Sequence, residues 1–510
     1  MKMGYLKSSL RLAVLVAAAA CTSHAAAQIQ PQTTDLAGKI YNFPDDSAYL
    51  QWPLAPADAA YGKINGRDVK AIMSEITAIS RKDRDRGVQW WGRNAGTEAD
   101  KDTQEWMLAK FKKAGLSKVH LQEFDLPPYW YPKSWDASVT SGGHATPLKS
   151  IRPFLWSNPT PAGGLQLEPV WISLGDPADL QGRDLKGKAA FILAIPQPGM
   201  RDNSALYNGA MKRAQDAGAA AIVVALQLPG NVSSQMISSM GVTVPNFSIG
   251  MADVLLVRKM IEEGKAPKVT FNLNTEMASG RKTATIWGEL PGTTDEDMLI
   301  MAHTDAFFDG ALDNASGMAV MVALAEYYAK IPQSQRRRTI RFAGVPAHHI
   351  DQNKPRNLPP GGSQGTRWMA DNADTFFAKT ALIINAEHVA QTVLQPLGPD
   401  LIAGNTTSPL PWSVFGSDKL KKIAHDALDS FGVALFAIPE RHPGGELGRV
   451  HTLAPSMQLI DRILYHSELD QDQYVPAAGL ERVTRAYAKI IDGVNKVDLK
   501  DLKAPPAAKE

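Results

Sequence analysis

Four apolar runs in the second half of the chain each end beside a group able to hold a metal ion. DMLIMAHTD closes on His303 and Asp305, TIRFAGV stops just before His348, ALIINAEHV reaches Glu387, and MQLIDRILYHSELD carries His466 after its apolar stretch. Between the first two, GALDNASGMAVMVALAEYYAK supplies a turn containing Asp313 and then a helix starting near Asn314. Short apolar runs rich in branched side chains read as buried strands. Strands alternating with helices predict an α/β fold with a mostly parallel sheet sandwiched by helices, and such sheets bind ligands beyond the carboxyl ends of their strands. All of these polar residues then share one edge of one sheet.

The earlier part of the chain opens in the same α/β style. Helical spacing of apolar positions spans 65–82 and 98–115, and SKVHLQEFDL alternates like a strand. From about 135 the texture changes to short strands broken by Gly and Pro turns, as in SGGHATP, and this block closes near 278 with PKVTFNLNTEM. The α/β pattern resumes only afterwards, so 135–278 reads as an insert between 28–134 and 279–510.

With 510 residues, 44% of them hydrophobic and 21% charged, the chain has enough apolar surface for two or three packed domains. Lys2, Lys7 and Arg11 precede LAVLVAAAA, and SHAAAQ offers small residues for cleavage after Ala27. That pattern predicts a secretory signal at 1–27 and a periplasmic or secreted protein, with Cys21 as a lipid attachment point the less favoured reading. Loss of those three cations, with no acid in the segment, takes the formal charge from +2 to −1. Such a balance argues against a nucleic-acid partner. No later apolar run is long enough to span a membrane. QRRRTIR at 335–341 is the sole basic run and reads as a solvated turn entering a strand.

HTD, GALDNASG, INAEHV and YHSELD, in that order around such an insert and with RNAGTEADKD upstream, resemble the co-catalytic zinc exopeptidases of the bacterial aminopeptidase, carboxypeptidase Q and glutamate carboxypeptidase type. The resemblance extends to DLKGKAAFILA and AQDAGAAAIVV, which mark the insert as a mainly β protease-associated domain. It implies two divalent metal ions, with zinc the expected metal. One would be held by His303, Asp313 and Glu387, and the other by Asp313, His349 and His466, with Asp313 bridging. Asp305 would orient His303 from behind. The expected substrate is a peptide or small amide.

One departure stands out. The family places two consecutive glutamates after the TIRFAGV strand, a general base and then a metal ligand, where this chain has His348 and His349. Imidazole is an ordinary zinc ligand, so His349 can serve on the metal, and His348 can accept a proton near neutral pH. NKPRNLPPGGSQG at 353–365 lengthens the following loop. Phe307 and Phe308 are candidates for lining a substrate pocket, and Glu446 for facing substrate. The chain therefore reads as a metal-dependent exopeptidase. A hydrolase of a non-peptide amide, ester or carbamate, or a binding module with a degenerate metal site, are the alternatives.

Overall fold

The computed structural model describes residues 36–42, 52–195, 209–236, 241–350, 364–436, 445–460 and 464–504. The signal segment with Cys21, and the loop at 353–365 as far as residue 363, lie outside them.

An eight-stranded sheet forms the centre. Its strands are β1 (Ser117–Asp125), β2 (Lys282–Leu290), β3 (Asp297–His303), β4 (Thr339–Val345), β5 (Thr380–Ala386), β6 (Leu410–Phe415), β7 (Leu435–Phe436) and β8 (Ser456–Leu459), in spatial order β7-β6-β8-β5-β3-β4-β2-β1. β8, β5, β3 and β4 are mutually parallel. β2 joins β4 antiparallel and β6 joins β8 antiparallel, so the parallel block sits in the middle. This is the predicted α/β sheet, with antiparallel margins.

Both faces of the sheet are covered, which is why its strands read as continuous apolar runs. From β3, Met298, Ile300 and Ala302 enter one core with helices α1 (Gly66–Asp85), α3 (Gly317–Ala329), α4 (Asp418–Ser430) and α5 (Ala477–Asn495). Leu299 and Met301 enter a second core with Val345, Met369, Phe377, Ile383 and Leu447. Val69, Ile72, Met73 and Ile76 give α1 its buried stripe, and the Asn65 side chain caps it by accepting from the Arg67 amide. Helix α2 (Glu98–Lys113) is capped likewise by Thr97, which accepts from the Asp100 amide.

Residues 129–278 contribute two further sheets. One is antiparallel and four-stranded, built on Tyr129–Ser141 and Lys268–Ala278. The other has five strands, of which Pro169–Trp171, Ala189–Ala194, Ala221–Leu226 and Asn246–Ile249 run parallel, with helix Ala210–Asp216 between the second and third of these and helix Met251–Glu262 after the last. The regular structure of the block is mostly strand, with these two helices between its strands. A small sheet of Ile40–Asn42, Asp400–Thr407 and Thr392–Leu397 is absent from the sequence reading.

The basic run is not a solvated turn. Arg338 is fully buried, donating to Glu296 Oε2 at 2.8 Å and to the Val497 carbonyl at 2.8 Å. Arg336 is also buried and donates to the Tyr328 carbonyl at 3.0 Å. These guanidiniums close the carboxyl ends of α3 and α5, at the Tyr328 and Val494 carbonyls, where the last carbonyls have no partner within the helix. No helix among the described residues is long and apolar enough to cross a membrane.

Candidate metal centre

His303 is the last residue of β3, His348 and His349 follow β4 by three and four positions, and Glu387 and His388 follow β5 directly. His466 lies in the segment after β8. The parallel strands thus deliver all six to one edge, and every one is buried.

Asp313 is where four of them meet. Its Oδ1 lies 3.0 Å from His303 Nε2 and 2.8 Å from His388 Nε2. Its Oδ2 lies 3.2 Å from His349 Nε2 and 3.1 Å from His466 Nε2. The sequence places a helix start at Asn314, but Asp313 and Asn314 take non-helical backbone angles and the regular helix begins at Gly317. That detour turns the Asp313 carboxylate inward while its neighbours fix it. Asp470 accepts from the Leu312 and Asp313 amides at 2.6 and 3.0 Å. Asn314 donates to the Ala386 carbonyl at 3.0 Å and accepts from the His388 amide at 3.1 Å, tying the turn to the end of β5. Gly317 permits the close approach, because a Cβ there would stand 2.0 Å from the Ala386 oxygen.

The donor set fits a metal. His303 Nε2, His349 Nε2, His466 Nε2 and Asp313 Oδ2 are buried and lack hydrogen-bonding partners among the described residues, although they face one another across about 3 Å. His303 Nδ1 lies 3.0 Å from the Asp305 carbonyl, which can only accept, so Nδ1 carries the proton and Nε2 presents its lone pair to a carboxylate. A cation is what reconciles two such donors. Burial opposes charge on His303 and His349, but Asp313 outweighs it and raises them to about 10 and about 9. Burial likewise disfavours the Asp313 anion, yet the surrounding imidazoles hold it well below the usual carboxylate range.

Asp305 holds His303 through its backbone carbonyl, and its carboxylate has a further task. Its Oδ1 is 3.8 Å from His303 Nδ1, whereas its carboxylate accepts from the His348 and His349 amides at 3.0 and 2.8 Å and lies 2.9 Å from His349 Nδ1. It sets the turn that carries both histidines. His348 then points elsewhere than His349: its Nδ1 lies 3.0 and 3.1 Å from the two oxygens of Glu446, and its ring stacks on His303 with centroids 4.4 Å apart. Glu446 is fully buried beside His348. Phe307 packs on His349 and His466 at 4.7 and 4.9 Å, but Phe308 turns away to Trp91 and Arg152. Glu387 accepts from Asn385 Nδ2 at 2.6 Å and stands 3.9 Å from His388 Nε2.

Two residues went unread in the sequence. His388 was hidden by its neighbour Glu387. Arg93, within the quoted RNAGTEADKD, is fully buried and donates to the carbonyls of Thr304, Asp309 and Gly310 at 3.1, 2.8 and 3.1 Å, holding the loop between His303 and Asp313.

Residues 285–411 match the sequence profile described as Peptidase family M28. This segment resembles family M28. It contains His303, Asp313, His349 and Glu387, so the resemblance read from the motifs holds there. The M28 fold extends well beyond it. A zinc aminopeptidase from Bacillus subtilis superposes with a TM-score of 0.60 at 18% identity, covering 88% of this chain and 97% of its own. A peptidase M28 precursor from Shewanella amazonensis gives 0.61 at 20% identity, over 87% and 100%. An aminopeptidase from an Aneurinibacillus strain gives 0.53 at 17% identity, over 89% and 98%. No curated protein sequence matches the chain.

Proposed function

We propose that the protein is an exported metallo-exopeptidase that hydrolyses peptide or amide bonds with two divalent ions, zinc being the natural choice for this donor set. The observation that carries the reading is the convergence of His303, His349, His388 and His466 on the two oxygens of one buried aspartate, at the carboxyl ends of parallel strands within an M28 fold. When bound, such ions polarise a carbonyl and acidify water. The chain does the rest. His303, Asp313, Glu387, His349 and His466 would hold the ions, and Asp305 keeps the two adjacent histidines apart. Glu446 accepts the Nδ1 proton of His348, which leaves Nε2 as the basic nitrogen and makes His348 the proton acceptor. Phe307 packs against the histidines of the second ion and shapes the pocket on that side. Residues 135–278 act as a protease-associated insert that shapes access and supplies no ligand.

The test is hydrolysis of aminoacyl arylamides, dipeptides and acylated arylamines by the purified protein, before and after chelation and after zinc is restored. Chelator-sensitive release of an N-terminal residue supports the reading, and absence of turnover on every substrate with zinc bound sinks it. The His348–Glu446 pair in place of a glutamate base favours a second reading, a hydrolase of non-peptide amides, esters or carbamates. Turnover of acylated arylamines without dipeptide cleavage would select it.

A further inference from the structure

We propose that His388 is a ligand of the first metal ion, so that this centre is built from four histidines around Asp313; this rests on the reading of the cluster as a metal site. The two oxygens of Asp313 have matching surroundings. Oδ2 has His349 and His466 at 3.2 and 3.1 Å, the pair assigned to the second ion. Oδ1 has His303 and His388 at 3.0 and 2.8 Å, both through Nε2. His303, Glu387 and His388 each offer a donor atom within 4.8 Å of the others, the spread of ligands around one ion.

The backbone is arranged to produce this placement. His388 follows Glu387 out of β5, and consecutive residues of an extended chain point to opposite sides. His388 instead has φ of 48°, a left-handed turn that non-glycine residues adopt only when their surroundings hold them there. The hold comes from Asn314, whose Oδ1 accepts the His388 amide, and the result is that both Glu387 and His388 address the same side. Tyr465 packs against the His388 ring at 5.1 Å and against His466 at 3.4 Å, backing one histidine of each pair.

The consequence is an uneven centre. The first ion gains four protein donors, His303, His388, Glu387 and Asp313, which is the full complement of a closed zinc site. The second, with Asp313, His349 and His466, keeps an open position, the mark of a catalytic site. Chemistry is thereby directed to the side of His349 and Phe307.

The experiment pairs a zinc titration with a crystal structure. Zinc is titrated into the metal-free parent, His388→Ala and His388→Gln, with circular dichroism confirming that each is folded. Both variants should bind one of two equivalents at least about 10-fold more weakly, the usual scale for losing a metal-site partner, and the other unchanged. Anomalous scattering from the zinc-loaded parent should place one ion about 2.1 Å from His388 Nε2. Parental affinity for both equivalents in the variants would overturn the inference. So would a His388 ring that only donates to Asp313, with its nitrogen more than about 3 Å from either ion. If the parent binds no zinc, the reading of the whole cluster as a metal site fails as well; if the parent binds two and only His388 is uninvolved, that reading stands.

Discussion

At the scale of single residues, His348 and His349 show how neighbours in sequence come to do different work. Asp305 takes both backbone amides, after which one ring goes to Asp313 and the other to Glu446. His349→Ala should therefore cost one equivalent of bound metal. His348→Ala should keep both ions and lower turnover of the best substrate by roughly 10²- to 10⁴-fold, the usual worth of a positioned general base. Metal analysis beside steady-state kinetics checks this, and parental turnover by a fully loaded His348→Ala would remove His348 from the proposed mechanism. The split between these two side chains is a matter of direction at a strand end. Their identity was legible because they stand in register with HTD, DNASG and YHSELD. The partnership with Glu446 was not, since nothing local joins two residues 98 positions apart. His388 escaped for a related reason: its left-handed turn depends on Asn314, which is 74 positions away.

Among the elements, the approach of α3 to β5 governs the geometry, because it brings the Asp313 turn against the ligands that follow Ala386. Gly317 sits at that contact, and a Cβ at 2.0 Å from a backbone oxygen has no flexible group to push aside. Gly317→Ala should destabilise the fold by roughly 1–3 kcal/mol or more and weaken zinc binding together with it. Urea denaturation of the metal-free protein measures the first effect; a variant as stable as the parent would show that helix and strand do not need this spacing. At the start of α2, the buried Asp100 carboxyl is pushed up by burial from 3.8 to about 6. The native state then holds this proton more tightly than the unfolded chain, so the contribution of Asp100 to stability falls as pH rises from about 4 to above 6. Asp100→Asn should flatten that part of the profile between pH 5 and 7, read as urea midpoints; midpoints that move in parallel with the parent would contradict it. The helices and central strands were legible because their apolar spacing is set locally. The Asp400–Thr407 sheet was not, because its pairing with Ile40–Asn42 joins segments some 360 residues apart. The burial of Arg336 and Arg338 depends in the same way on helix ends that only the fold assembles.

In the molecule as a whole, labour is divided between the sheets. The eight-stranded sheet presents the donors, and residues 129–278 lie in sheets of their own whose apolar core includes Phe307 and Phe308. A block that only shapes access should leave the ions alone: His144→Ala, on an exposed strand, should retain the parental metal content, and a lost equivalent would refute the proposed role of the insert. Asp313 is the one residue on which both proposed ion sites depend. The most direct test is therefore a calorimetric zinc titration of the metal-free parent beside Asp313→Ala, with circular dichroism showing both folded. The account predicts two equivalents of tight binding in the parent and none in the variant. A parent that binds zinc no more tightly than about millimolar, or an Asp313→Ala variant that still takes up two ions with parental affinity, would contradict it.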